Sequence, residues 1–377
     1  MMNRHDGCSP LVAPFVEAVD NREERLREWA SLGARPMGYL CTYTPVELIH
    51  ACGFLPVRLW GGAGQVRKAY SHVPPFVCPY LRLVVERAAC STFDFLVGIV
   101  QGYTCDAACG VVNVWKNTFG GGICMNLPLP YNESASARTF FASCAHDLAS
   151  RLEALGGCFS EERLGRSVGL YERIRESLAR VGEMCSGESA CLSAMDISVV
   201  VQAFFSTPPE TYLAMLQELE ALLQGAPRVR REGVPVLVSG SVLEDAGVIG
   251  LIEETGFRVV ACDLCTGIRA YTPHAGTGST PMERLASRHA ARFPCPSRSR
   301  PQDRVPLLAG LARDSGAAGV IFLIQKFCTP HLADHPLVER GLRDAGIPSI
   351  LIELDVEDTI DARTANRLET FAALVGG

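Results

Sequence analysis

Runs of strand length and runs of helical period alternate in two separate blocks of this chain, and that alternation restricts its fold more than any other feature. In the first block, residues 37–43, 54–60, 93–100 and 123–128 are short and apolar and end in Gly, Pro or polar turns, which predicts strands. Between the first two, Thr44-Pro45-Val46-Glu47 predicts a helix start, with Thr44 as cap, Pro45 at the first position and Glu47 closing a capping box; Gly53 ends that helix. From Ala135 to about Leu223 the period changes to 3.6, as in residues 146–155, 170–181 and 212–223. Strand-like runs return at 234–239, 258–262, 319–324 and 349–354, before a last helix over 362–375. Strands alternating with helices predict parallel sheets covered on both faces. The expected architecture is therefore α/β: an N-terminal domain over 30–135, a helical connecting segment over 136–230 and a C-terminal domain over 231–377. No repeat or low-complexity linker interrupts it.

With 48% hydrophobic residues, a chain of 377 can fill two cores. A net charge of -6 and the lack of a basic tract argue against nucleic acid as a partner, and 7% aromatic content offers no stacking platform. The longest apolar stretch, 317–324, has the length of a buried strand, so no membrane span is expected. The opening M-M-N-R-H-D-G-C has no apolar leader core, and residues 21–27 read as a charged helix start, so the expected location is the cytoplasm.

Cysteine is the residue type that carries chemistry here, with 16 in the chain. Reduced cytosolic thiols in a chain long enough to need no staples make a disulfide scaffold the weaker reading. Cys78 in V-C-P-Y-L-R, Cys105 in Y-T-C-D-A and Cys328 in Q-K-F-C-T-P-H each follow an apolar run that reads as a strand or strand end. Loops leaving the carboxyl ends of parallel strands build sites, so these three are expected to converge and to hold a metal or an iron–sulfur cluster. Cys262-Asp-Leu-Cys265 has redox or half-zinc spacing without a second such pair, and Cys105 and Cys109 have helical spacing. Cys52, Cys144, Cys158, Cys185 and Cys191 lie in helical patterns, where cysteine packs as a small hydrophobe. Gly120-Gly121-Gly122 is a turn; it lacks both the dinucleotide fingerprint and the phosphate-loop lysine, so no nucleotide site is expected. His331 and His335 stand at i, i+4 without a glutamate between them and read as helix-start and surface groups. An acyl-transfer dyad of Cys328 with His331 is conceivable, but leaves Cys78 and Cys105 without a role.

The run G-Y-L-C-T-Y-T-P-V-E-L-I-H-A-C-G-F-L-P-V-R-L-W-G over 38–61 resembles the opening signature of a superfamily. Its members are 2-hydroxyacyl-CoA dehydratase subunits, class I benzoyl-CoA reductase subunits and double-cubane cluster proteins. Later blocks agree in order: C-P-Y-L-R at Cys78, T-C-D at Cys105, C-D-L-C-T-G-I-R at Cys262, P-C-P at Pro294, K-F-C-T-P-H at Lys326 and G-I-P-S-I-L-I-E at Gly346. The resemblance spans about 37–373. It implies two flavodoxin-like, doubly wound domains and a 4Fe-4S cubane held by Cys78, Cys105 and Cys328. It also implies a separate ATP-hydrolysing iron–sulfur activator. Thr329 stands where many members carry aspartate, which puts any role of that aspartate in doubt.

Three thiolates leave one iron of a cubane open to water, a thioester oxygen or another small group. Single-cubane dehydratase subunits tend to lack cysteines matching Cys41 and Cys265; this chain has both, with Cys295 in addition. Six loop cysteines suit a double-cubane (8Fe-9S) cluster, with Cys90, Cys109, Cys124 and Cys262 in reserve should one of the six not serve. The expectation is an iron–sulfur reductase component that takes low-potential electrons from the activator, as a homodimer. The alternative is a 2-hydroxyacyl-CoA dehydratase or benzoyl-CoA reductase subunit, paired with a paralogous chain and binding acyl-CoA or relaying electrons. A non-catalytic cluster carrier is the third reading.

Overall fold

The computed structural model describes residues 7–62, 64–120, 122–184, 187, 189–292, 294–298, 301–356 and 360–376. Strands β1 (Pro36–Tyr39), β2 (Leu55–Arg58), β3 (Gly98–Gly102) and β4 (Ile123–Leu127) form a parallel sheet in the order β2-β1-β3-β4. A short antiparallel ribbon, β5 (Ser189–Ala190) with β6 (Val229–Arg230), precedes the second sheet. That sheet, β7 (Val234–Gly240), β8 (Phe257–Asp263), β9 (Gly319–Gln325) and β10 (Ser349–Leu354), is parallel in the order β10-β9-β7-β8. In each sheet the second strand in chain order flanks the first on one side and the third flanks it on the other. Both domains therefore carry the flavodoxin-like order, with its switch point between the first and third strands.

Burial on both faces explains why the strands read as continuous apolar runs. Along β3, Ile99 faces a core with Val57, Val84, Val85 and Trp115, while Val100 faces the opposite core with Met37, Phe141, Leu148 and Leu152. Along β7, Val236 and Val238 pack towards Tyr212 and Leu216, and Leu237 towards Leu308 and Leu342. The connecting segment is helical, as its period predicts: Ala135–Ala154, Glu161–Met184, Ala194–Ala203 and Pro209–Gly225. Helix Glu161–Met184 ties the halves together, because Leu164 and Val168 enter the N-terminal core and Ile174 and Leu178 the C-terminal one. The charged start expected at 21–27 is the helix Arg22–Ser31, preceded by Ala13–Asp20, whose Phe15 joins the C-terminal core. Among the described residues no helix is long and apolar enough to cross a membrane.

Three local expectations fail, the first being the strand expected over 37–43, which ends at Tyr39. The third strand begins at Gly98 rather than at Phe93; residues before it turn beneath the sheet, with Phe93 packed edge-on against Trp60 at 4.8 Å between centroids. Gly98 sets the boundary, since a Cβ there would stand 2.4 Å from the Ile123 carbonyl oxygen of β4. The capping box at Thr44 is also absent. The cap of helix Val46–Ala51 is Pro45; Thr44 Oγ1 instead accepts from Gly102 N at 3.1 Å, and the Glu47 carboxylate is taken by Arg175 and Arg288. Tertiary partners have displaced a local cap worth about 1 kcal/mol.

Glu47 is 1% exposed, and although burial opposes ionisation, Arg175 and Arg288 outweigh it and hold the carboxyl well below its usual range. Its stabilising contribution is complete above the ordinary carboxylate range and is lost as pH falls through that range towards the lowered value. Breaking a buried ion pair costs about 3–5 kcal/mol. Glu47→Gln is therefore expected to lower stability by that order in urea titrations at neutral pH, with the gap to wild type closing below about pH 4. Equal stabilities at neutral pH would show that the pair contributes nothing.

Candidate functional site

The carboxyl ends of both sheets supply cysteines. Cys41 lies just past β1, where buried Gln101 of β3 accepts from the backbone N–H groups of Leu40 and Cys41 at 3.2 and 2.9 Å. Cys105 follows β3, Cys265 follows β8 and Cys328 follows β9. Cys78 departs from expectation: it is reached by the long loop after β2, not by a strand end. It nevertheless shares a feature with Cys105 and Cys328, for each is the N-cap of a helix, Pro79–Ala89, Asp106–Thr118 and Thr329–Asp344 respectively. Each sulfur sits at the first turn of its own helix, where the backbone N–H of Leu81, Ala108 and His331 respectively and the positive end of the helix dipole favour thiolate. Cys295 is buried in the loop before helix Pro301–Asp314.

The six thiols fall within one electrostatically connected group, which also takes in Cys109 through Cys105 and Cys41. Cys105 is influenced by Cys78 and Cys41, Cys328 by Cys78, Cys105 and Cys265, and Cys265 by Cys295 and Cys41. Burial pushes Cys78 and Cys265 up to about 11 and Cys105 up to about 12, and it also raises Cys328 well above its usual range, with its thiol neighbours adding to the rise. A bound cation reverses this, because a coordinating thiol is deprotonated outright. Cys262 does not take part; Glu253 and Asp263 are its charged neighbours and it packs against the C-terminal core. Of the three cysteines held in reserve with it, Cys109 is buried beside Cys105, Cys124 packs in the N-terminal core and Cys90 is exposed at a helix end. Cys52 is buried, Cys144 and Cys191 are half-buried and Cys158 is exposed, while Cys185 lies outside the described residues. Gly120 and Gly122 have positive φ in the expected turn, and Gly121 also lies outside the described residues.

The two halves are clasped around this group. Gln325, at the end of β9, accepts from Tyr80 N at 2.8 Å next to Cys78, and Glu244 accepts from Gly61 N and Gly62 N, each at 2.9 Å. Arg58 of β2 donates to the Cys265 carbonyl at 3.4 Å, and Arg292 donates to the carbonyls of Thr42 and Arg269. Beside Cys295, a cavity of about 780 Å³ is lined by Tyr43, Tyr131, Arg292 and Arg298, a volume suited to a small ligand.

His331 is not a surface group. It is 5% exposed, its Nδ1 is 3.3 Å from Cys328 Sγ, and its Nε2 is 3.4 Å from Arg269 Nη1. His335 is half-buried, edge-on to Phe322. The proximity of Cys328 and His331 does not make an acyl-transfer dyad. Burial, then Arg269 and Arg304, hold the imidazole well below its usual pKa while the thiol is raised, the opposite of a thiolate–imidazolium pair.

Whether these residues suit an iron–sulfur cluster is tested by the charges around them. Arg58 and Arg292 are buried, and their hydrogen bonds go to carbonyl oxygens; among the described residues neither has a carboxylate within ion-pair distance. Buried cations without a carboxylate partner are stabilised by an anion nearby, which cluster-bound thiolates would supply. Among the described residues no three His, Cys, Asp or Glu side chains stand close enough to hold one metal ion. A cubane spreads its thiolates over several irons, so wide spacing fits it better than it fits a zinc site. Sequence reasoning missed the arginines, although Arg58 interrupts an apolar strand and Arg269 stands at helical spacing from Cys265.

Residues 41–373 match the family model described as 2-hydroxyglutaryl-CoA dehydratase, D-component. The chain is 25% identical over 357 residues to the (R)-phenyllactyl-CoA dehydratase beta subunit of Clostridium sporogenes, covering 93% of this chain and 95% of that protein. It is also 25% identical to the lactoyl-CoA dehydratase subunit beta of Anaerotignum propionicum, over 97% of this chain and 98% of the relative. With a benzoyl-CoA reductase subunit of Thauera aromatica the identity is again 25%, over 86% of this chain and 87% of the relative.

Proposed function

The chain belongs to the 2-hydroxyglutaryl-CoA dehydratase, D-component family, and from that premise we propose that it is the cluster-bearing component of an ATP-dependent reductase of this kind. It is a component of the 2-hydroxyacyl-CoA dehydratase and benzoyl-CoA reductase type. In our reading Cys41, Cys78 and Cys105 from one half and Cys265, Cys295 and Cys328 from the other hold a double-cubane cluster. The connected group of thiols that includes these six, with buried arginines that lack carboxylate partners, is the observation that carries this reading. When bound, such a cluster supplies low-potential electrons and iron that a small substrate can approach. The chain's own part is to hold the thiolates, balance their charge through Arg58 and Arg292, and keep bulk water out of the interdomain space. Exposed Phe76, Tyr103 and Phe327 precede Cys78, Cys105 and Cys328 by one or two residues in the chain, an apolar rim suited to a docking electron donor.

The chain has no lysine-bearing phosphate loop, so isolated protein supplied with ATP and dithionite is expected to release no phosphate above background. Adding the ATP-hydrolysing iron–sulfur activator is expected to bleach the cluster absorbance. Steady ATP hydrolysis by the activator-free chain would contradict the reading. A second reading is favoured by the relatives that are beta subunits: this chain pairs with a paralogous subunit and handles an acyl-CoA. Purification as an obligate heteromer that turns over a 2-hydroxyacyl-CoA supports that reading, and a homodimer active with the activator supports the first.

A further inference from the structure

We propose that Arg269 is the positioning residue that binds the C-terminal half of the cysteine group electrostatically, fixing three sulfurs around one guanidinium and raising the reduction potential of what they hold. The inference rests on the cluster reading above. Arg269 is 3% exposed and its donors are divided between two tasks. Nε donates to Asp263 Oδ1 at 2.5 Å, and Nη2 donates to the carbonyl oxygens of Asp263, at 2.6 Å, and Gly240, which locks the plane of the group to the ends of β7 and β8. Nη1 is left pointing away from these anchors. It stands 3.9 Å from Cys265 Sγ, 4.0 Å from Cys295 Sγ and 3.4 Å from His331 Nε2.

The third contact extends the reach of the charge. The imidazole of His331 lies between the guanidinium and the third sulfur, with Nε2 on the Arg269 side, near the Gly240 carbonyl, and Nδ1 3.3 Å from Cys328 Sγ. One cation therefore meets two sulfurs directly and a third through an oriented imidazole, although the three cysteines come from distant parts of the chain.

The support behind Arg269 is built rather than incidental. Asp263, fully buried, also accepts from Ser239 Oγ at 2.6 Å and pairs with Arg304 at 3.3 Å, and Arg304 pairs with Asp334 at 2.5 Å. Two arginines and two aspartates balance, so the row holds Arg269 rigid without net charge of its own. A cluster held by these sulfurs would gain negative charge on reduction, and a fixed cation at Nη1 would favour that reduced state. Removing it must move the potential to more negative values.

The test uses reconstituted full-length protein and compares iron content, visible and electron paramagnetic resonance spectra and midpoint potential. Arg269→Gln is expected to lower the midpoint by at least about 59 mV, a tenfold change in the reduced-to-oxidised ratio for one electron. Arg269→Lys, which keeps the charge, is expected to recover part of the shift. The paired variant Arg269→Gln with Asp263→Asn removes the orphaned buried carboxylate, so that a folded neutral form can be measured if the single variant fails to fold. Iron lost in the glutamine variant but kept in the lysine variant supports the proposal, because the lysine variant keeps the positive charge that the glutamine variant lacks. Full iron with an unchanged midpoint in every folded variant overturns it, as does equal loss in glutamine and lysine variants. A wild-type chain that binds no iron overturns the cluster reading itself, and is seen before any variant is made.

Discussion

Serine in place of Cys78, Cys105 or Cys328 is expected to deplete iron and visible absorbance while leaving the fold in place. Each of these residues is the N-cap of a helix, and each thiol lies within the electrostatic reach of another of the three. Serine is close to isosteric with cysteine and is among the preferred N-cap residues, so the helices Pro79–Ala89, Asp106–Thr118 and Thr329–Asp344 keep or improve their starts. What is lost is the thiolate, the ligand that iron–sulfur clusters require. Each variant, purified anaerobically and assayed for iron, absorbance and circular dichroism, should show a far lower iron content with an unchanged helical spectrum. Full cluster retention in all three would remove these residues from the site.

How much of this was legible in the sequence depends on whether neighbours in the chain or neighbours in space decide a residue's place. The C-terminal strands were legible to within a residue or two, because β7, β8 and β9 are buried runs bounded by clear turns. The last helix, Ala362–Val375, was legible at both ends, since Asp361 caps it locally and accepts from Thr364 N. The start of β3 was not, because the constraint is the Ile123 carbonyl on β4, a contact absent from any window around residues 93–100. Thr44 and Glu47 satisfy every local rule for a capping box, yet their partners are Gly102, Arg175 and Arg288, distant in the chain.

The candidate site shows the same division. That Cys105, Cys265 and Cys328 belong at loop positions followed from the strands before them, whereas Cys41 fell within the expected strand 37–43 and lies in a loop because β1 ends at Tyr39. Cys78 is presented by a helix start and not by the strand end expected of it. His331 was read as a surface group because a polar residue opening a helix usually is one; only the fold reveals that Cys328 and Arg269 enclose it. Arg58 and Arg292 carried a weak signal at most, for a lone arginine in an apolar run acquires meaning only when its missing carboxylate is seen.

Cys265→Ala is expected to remove roughly half the iron of the wild-type chain or to collapse the whole assembly. Cys265 connects the halves of the thiol group: its charged surroundings include Cys295 from its own domain and Cys41 from the other, and its carbonyl accepts from Arg58. Cys262, its partner in the C-x-x-C spacing, faces a different environment and cannot take over without a change of backbone. Iron content should therefore fall with Cys265→Ala and stay unchanged with Cys262→Ala, measured side by side on folded protein. The reverse pattern would exchange their roles. Full iron in both would leave a single cubane on Cys78, Cys105 and Cys328 and favour the dehydratase-subunit reading.

Iron and acid-labile sulfide per chain, determined on wild-type protein purified without oxygen, bear most directly on the reading of the six cysteines as a cluster site. A double-cubane cluster gives about twice the iron of a single cubane, with matching sulfide and broad visible absorbance. A folded chain that carries neither iron nor sulfide after anaerobic purification and reconstitution would contradict it.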